Sequence, residues 1–194
     1  MPATSPTPFA QPKPPRLSGR VGKSSWFPGK FIFSNSLIQR SVAGVLFQEF
    51  SHNAAWIEKV ALRAGKVNLH RYELAHGAIK HAIESFSGLV ARQKEAVTTK
   101  LEKSMLRDLE QLHLSFAPLD IKVYAQNEYL FLSELERADQ FLFIIEGAVT
   151  RKALEESTLR EAEAKIRREF KAIHRCSQRA QSGFLRAFSS PTAV

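Results

Sequence analysis

Residues Pro28 to Gly65 read PGKFIFSNSLIQRSVAGVLFQEFSHNAAWIEKVALRAG, and the fold turns on how this stretch is parsed. In Lys30-Phe31-Ile32-Phe33-Ser34 the side chains alternate, with Phe31 and Phe33 on one side and Lys30, Ile32 and Ser34 on the other, which is the period of a strand. From Asn35 to about Glu49, Leu37, Ile38, Val42, Val45 and Leu46 recur at helical spacing, with Gln39, Arg40 and Glu49 on the polar side. Ser51-His52-Asn53 reads as a turn. Ala54 to Ala64, carrying Trp56, Ile57, Val60 and Leu62, reads as a second helix closed by Gly65. Strand, helix, turn and helix in this order describe a ribbon-helix-helix unit.

A single strand of this length is not stable in water. The reading therefore requires pairing with the same strand of a second chain, a homodimer whose two-stranded ribbon fits a DNA major groove. Lys30 would then reach a guanine edge or a phosphate, Ser34 would hydrogen-bond a base, and Ile32 would meet a thymine methyl. Asn35 or Ser36 is the expected N-cap of the first helix, and Arg40 lies on its polar side. Ser51 and Asn53 would present the second helix's N-terminal N–H groups to a phosphate. Each of these residues also has a plain structural reading. The strand residues can start the first helix or run as buried coil, and Ser51 and Asn53 can simply cap.

Charge separates the ends of the chain from its middle. The 194 residues carry a net charge of +9. Residues 1–48 hold six basic side chains and no acidic one, residues 49–149 hold 12 basic and 14 acidic, and residues 150–194 hold 10 basic and five acidic. A balance of this kind favours polyanions, nucleic acid first and an anionic membrane surface second. Residues 1–28 are rich in proline and read as a disordered basic arm, suited either to lie along phosphates or to act as a solubilising tail.

Beyond the first unit (29–66), residues 67–188 read as a helical domain with long antiparallel helices and one short strand, followed by a tail at 189–194. Tyr72, Ala75, Ile79, Ile83, Phe86 and Val90 step by three and four, and Val97, Leu101, Met105, Leu109 and Leu112 continue the stripe. Gly88 is a candidate bend. Leu119, Ile121 and Val123 alternate with Asp120, Lys122 and Tyr124, the clearest strand pattern in the chain. Asn127 is expected to cap a central helix with apolar residues almost all round, Glu134, Arg137 and Asp139 on its wet side, and Gly147 at its end. A basic helix follows to Phe188, with Arg160, Lys165, Arg167, Arg168, Lys171, Arg175 and Arg179 around an apolar seam. It is expected to pack against the central helix, with phosphate contact as an additional role.

Catalytic chemistry has no carrier in the sequence. There is no phosphate loop and no nucleophile elbow. His70, His76 and His81 are spaced six and five apart, off one helix face, and His174 with Cys176 falls short of a metal site. The expectation is a non-enzymatic protein with no cofactor, no metal and no small-molecule substrate. A single cysteine excludes an intrachain disulfide framework, and no apolar run approaches a membrane span. A cytoplasmic location is the expectation.

Residues Pro118 to Tyr124 (PLDIKVY), Glu128 to Asp139 (EYLFLSELERAD), the helix with Leu142, Ile145 and Gly147, and the basic helix from Ala153 to Cys176 together resemble the AcaB-like family of bacterial conjugative elements. The likeness covers roughly residues 116–178 and includes an internal aspartate, matched by Asp139. It implies a DNA-binding transcriptional regulator carried on a mobile element, with a ribbon-helix-helix unit. The alternative is a non-enzymatic helical scaffold or accessory protein of a conjugation or plasmid-maintenance assembly, using its basic ends for protein contacts.

Overall fold

The structure, a computed structural model, describes residues 27–63 and 69–189. Most of the expected arm (1–28), the end of the tail and the Ala64-Gly65 stop lie outside these residues. The protein is mainly α. The described residues form six helices and one two-stranded sheet in the order β1 (Phe27–Phe31), α1 (Ser36–Ala43), α2 (Val45–Arg63), α3 (Leu69–Thr98), α4 (Lys103–Leu114), β2 (Leu119–Val123), α5 (Gln126–Thr150) and α6 (Glu156–Ser189).

Helix α5 is the axis of the molecule. Phe131, Leu132, Leu135, Ala138, Phe141, Leu142, Ile144, Ile145 and Ala148 are all buried, which covers more than one face of the helix and explains its weakly amphipathic sequence. Around it, α3 runs parallel, since His76 meets Asn127 and Lys94 meets Gln140. Helix α4 runs antiparallel to α5, with His113 on Asp139 and Leu109 on Gly147. Helix α6 lies antiparallel to α3, with Cys176 on Ala78 and Lys165 on Gln93, and parallel to α2, with His174 on Glu49 and Asn53 on Ser177. The Phe131 ring gathers those of Phe47, Phe50, Phe86 and Phe170 at centroid distances of 4.8–6.2 Å, tying α2, α3 and α6 to α5.

The strand lies at Phe27–Phe31 rather than Lys30–Ser34, and it pairs with β2 of the same chain, antiparallel, with Gly29 opposite Ile121 and Lys30 opposite Asp120. A strand from the same chain therefore supplies the ladder that the ribbon reading asked of a second chain. Phe31 and Phe33 do share the inner side, but they stack at 6.1 Å in their own chain's core rather than anchoring a dimer.

The expected turn at Ser51-His52-Asn53 is helical. The break falls at Gly44, whose extended backbone separates α1 from α2 and where a Cβ would stand 2.9 Å from the Arg40 carbonyl oxygen. Ser51 and Asn53 reach tertiary partners instead of capping, so nothing interrupts α2 there.

Gly88 lies inside α3, and the expected long stretch instead divides between Thr98 and Lys103. Gly147 does not end α5. It lets Leu109 of α4 lie against the helix backbone, where a Cβ would collide with the leucine. The true end is a Schellman motif. Lys152 takes φ 58°, its N–H bonds the Val149 carbonyl, and the Ala153 N–H bonds the Ala148 carbonyl at 2.8 Å. Asn127 is not the N-cap of α5. That position belongs to Ala125, and the end is closed by Glu58 of α2 and by Glu128 of the first turn, described below.

Candidate nucleic-acid interface

The structure distributes the seven residues singled out for DNA contact between two very different settings. Lys30 and Arg40 are exposed, Arg40 with its Nε on the Ser36 carbonyl. The other five are engaged inside the protein. The Ile32 N–H donates to Glu136 Oε1 at 2.6 Å. Ser34 donates through both its N–H and its hydroxyl to Asp139 Oδ2, each at 2.8 Å. The Asn35 N–H donates to Asp139 Oδ1, its Oδ1 accepts from the Leu37 N–H to cap α1 as expected, and its Nδ2 reaches Glu146. Ser51 donates to Glu128 at 2.6 Å, and Asn53 donates to the Ser177 hydroxyl at 3.2 Å.

Asp139 is the centre of the first of these arrangements. The sequence pattern places it on the wet side of α5, yet it is completely buried and faces His113 Nε2 at 3.0 Å in addition to Ser34 and Asn35. A buried carboxylate is tolerable only when its lone pairs are satisfied, and these donors satisfy them. It therefore holds the extended link between β1 and α1 onto the central helix. The signal for this was present. Asp139 lies four residues after Leu135 and three before Leu142, in line with the inward face.

A second acid pair closes the N-terminal end of α5. Glu58 of α2 accepts the Gln126 N–H of the first turn at 2.7 Å, and Glu128 reaches back to the Tyr124 N–H just ahead of the N-cap at 2.7 Å, so two carboxylates lie at the positive end of the helix. Burial pushes Glu58 up to about 7, against the opposing effect of the Gln126 hydrogen bond, and the nearby Glu128 charge adds to the rise. Burial also raises Glu128 and lowers His76, and with the Glu58 charge it pushes Tyr72 up to about 12. This is the chemistry of a helix cap. Among the described residues no group of three or more His, Cys, Asp or Glu side chains could hold a metal ion.

Helix α6 carries a row of exposed cations. Its inner face carries Ala162, Ile166, Phe170, Ile173, Ser177 and Phe184, all buried. In the N-terminal half the cations are matched with acids or amides: Arg160 with Glu156 at 2.9 Å, Arg167 with Glu163 at 3.4 Å, Arg168 with Glu169 at 3.3 Å, and Lys165 with Gln93. From Phe170 onward the chain contains no acid. Lys171, Arg175, Arg179 and Arg186 are exposed and fall on the outer side, opposite the buried seam. At 1.5 Å per residue the stripe from Lys171 to Arg186 is roughly 22 Å long. Arg175, Gln178, Arg179, Ser182, Gly183 and Arg186 line a shallow hollow along it. Arg186 is not among the cations read from the sequence, although it lies seven residues after Arg179 and so returns to the same face.

No helix among the described residues is long and apolar enough to cross a membrane. No protein-family model matches the chain, and no curated protein or solved structure matches it.

Proposed function

We propose that the protein is a non-enzymatic DNA-binding protein of the transcriptional-regulator type, acting on double-stranded DNA through the outer face of α6. The observation that carries this reading is the run of four exposed cations on one helix face in a segment without acids. A helix face of this kind meets phosphates and releases their counterions, the main source of affinity for duplex DNA. The acid-free residues 1–48 point the same way. The resemblance of residues 116–178 to the AcaB-like family supports a place on a conjugative element. A free β1 ribbon is not part of the proposal, because β2 occupies one edge of β1 and Ile32, Ser34 and Asn35 are held by the acids of α5.

Fluorescence anisotropy with duplex DNA at about 50 and 200 mM salt tests the reading, because phosphate contacts make affinity fall steeply over that range. Arg175→Gln with Arg179→Gln is expected to weaken binding and to reduce the salt slope by about one for each phosphate that is no longer neutralised. Lys30→Ala should have a smaller effect. Wild-type binding that is weak and unchanged in the double variant would instead favour a helical accessory protein. Leu112, Leu114, Phe116 and Leu119, exposed around the α4–β2 connection, favour that second reading.

A further inference from the structure

The cationic row on α6 has a neighbour of different chemistry. Helices α2 and α6 lie side by side, and a second hollow runs between them. Val45, Gln48, Glu49 and His52 line it from α2, and Gln181 lines it from α6. Gln178 and Ser182 line both this hollow and the arginine-lined one, so they form the ridge between the two. Arg175 and Arg179 stand on one flank of that ridge. Among the described residues lining the other flank there is no lysine or arginine, and its acid is Glu49, whose Oε2 meets His174 Nε2 at 2.7 Å. A flank that offers a carboxylate and no lysine or arginine does not suit a phosphate. It does suit groups that both donate and accept hydrogen bonds, because each glutamine amide does the same. The base edges of DNA are such groups. In the major groove adenine presents an acceptor beside a donor, and a glutamine amide matches the pair with two hydrogen bonds.

We propose that the Gln178–Ser182 ridge of α6 reads base edges in the DNA major groove, with Gln178 on an adenine and Gln181 beside it, while Arg175 and Arg179 hold phosphates. The inference rests on the DNA-binding reading of α6 and adds sequence selectivity to it. The helix geometry divides the labour. Arg175 lies three residues before Gln178 and Arg179 one after it, which sets them roughly 60° and 100° round the helix from the glutamine. An α-helix fills the major groove, so a side chain on its leading ridge meets the base edges and side chains turned by such angles meet the backbone wall. Ser182, one turn further along the ridge, is a less selective partner for a base. Gln178 is exposed, so changing it leaves the core intact.

Selection from pooled random duplex DNA tests the assignment. The wild type is expected to enrich a sequence with adenine at a fixed position. Gln178→Ala should reduce the preference for adenine there by roughly tenfold. Gln178→Glu should move the preference at that position to cytosine, whose amino group donates to a carboxylate. Anisotropy titrations separate base reading from phosphate binding. Gln178→Ala removes no cation and should keep the wild-type salt slope, whereas Arg175→Gln with Arg179→Gln should lower the slope and keep the base preference. Circular dichroism melting of each variant checks that the fold is unchanged. Steep salt-dependent binding with no sequence enriched, or the same enriched sequence in both Gln178 variants, overturns base reading and leaves the phosphate role of α6 standing. Weak binding that the arginine changes do not affect overturns both.

Discussion

Two acid sites lie along the same central helix and meet burial in opposite ways. Asp139, in the middle of α5, has no exposed surface, and its oxygens receive the Ser34 N–H and hydroxyl and the Asn35 N–H, with His113 at 3.0 Å. Glu58 and Glu128, at the N-terminal end, also accept backbone N–H groups, but they are acids facing acids, and burial pushes Glu58 up to about 7. Depth is not what separates the two sites. The first gathers donors around one carboxylate, and the second gathers two carboxylates around one helix end.

The most demanding check is Asp139→Ala. It strands the Ser34 and Asn35 N–H groups in the core and is expected to lower stability by about 3–5 kcal/mol, read from the urea midpoint. A loss below about 1 kcal/mol, the scale of one ordinary hydrogen bond, would mean that the donors find other partners.

Glu58→Gln tests the opposite site. The folded-state pKa lies above the unfolded value of 4.5, so the folded chain holds the Glu58 proton more tightly. Its stabilising contribution is complete below about 4.5 and is lost as pH rises through about 7. The glutamine variant keeps the acceptor oxygen and removes the charge. It should be more stable than wild type by roughly 1–3 kcal/mol at slightly alkaline pH, with the gain shrinking as the pH is lowered toward the unfolded value. Thermal melts at both ends of that window decide the matter, and a variant that melts lower at alkaline pH sinks the assignment.

Ser34→Ala removes one donor of several from Asp139 and should cost about 1 kcal/mol, since the others remain. The mildest change is at the far end of α5, away from both acids. Lys152→Gly relieves the left-handed backbone at φ 58° and should raise stability by roughly 0.5–1 kcal/mol in the same melts.

Much of the architecture was legible in the residues. The period of three and four in 69–98, the alternation at 119–123 and the nearly all-round apolar surface of 126–150 each reflect a repeat along the chain, and each became the expected element. Single polar residues are not legible in this way. Ser34, Asn35, Ser51 and Asn53 fit a DNA contact or a cap by type, but most of their partners lie 77–124 positions away in the chain. Asp139 was misplaced because a charge on a helix is ordinarily solvated, and only the donors assembled from the β1–α1 link and from α4 make its burial tolerable.

By itself the sequence determined the helical class, the centrality of 126–150, the strand at 119–123 and the basic ends, because period and composition act locally. Tertiary structure alone decided that β1 pairs with β2 and that Asp139 faces inward. Those outcomes depend on which distant backbone and side-chain groups arrive next to each residue, and the chain's own spacing does not encode that.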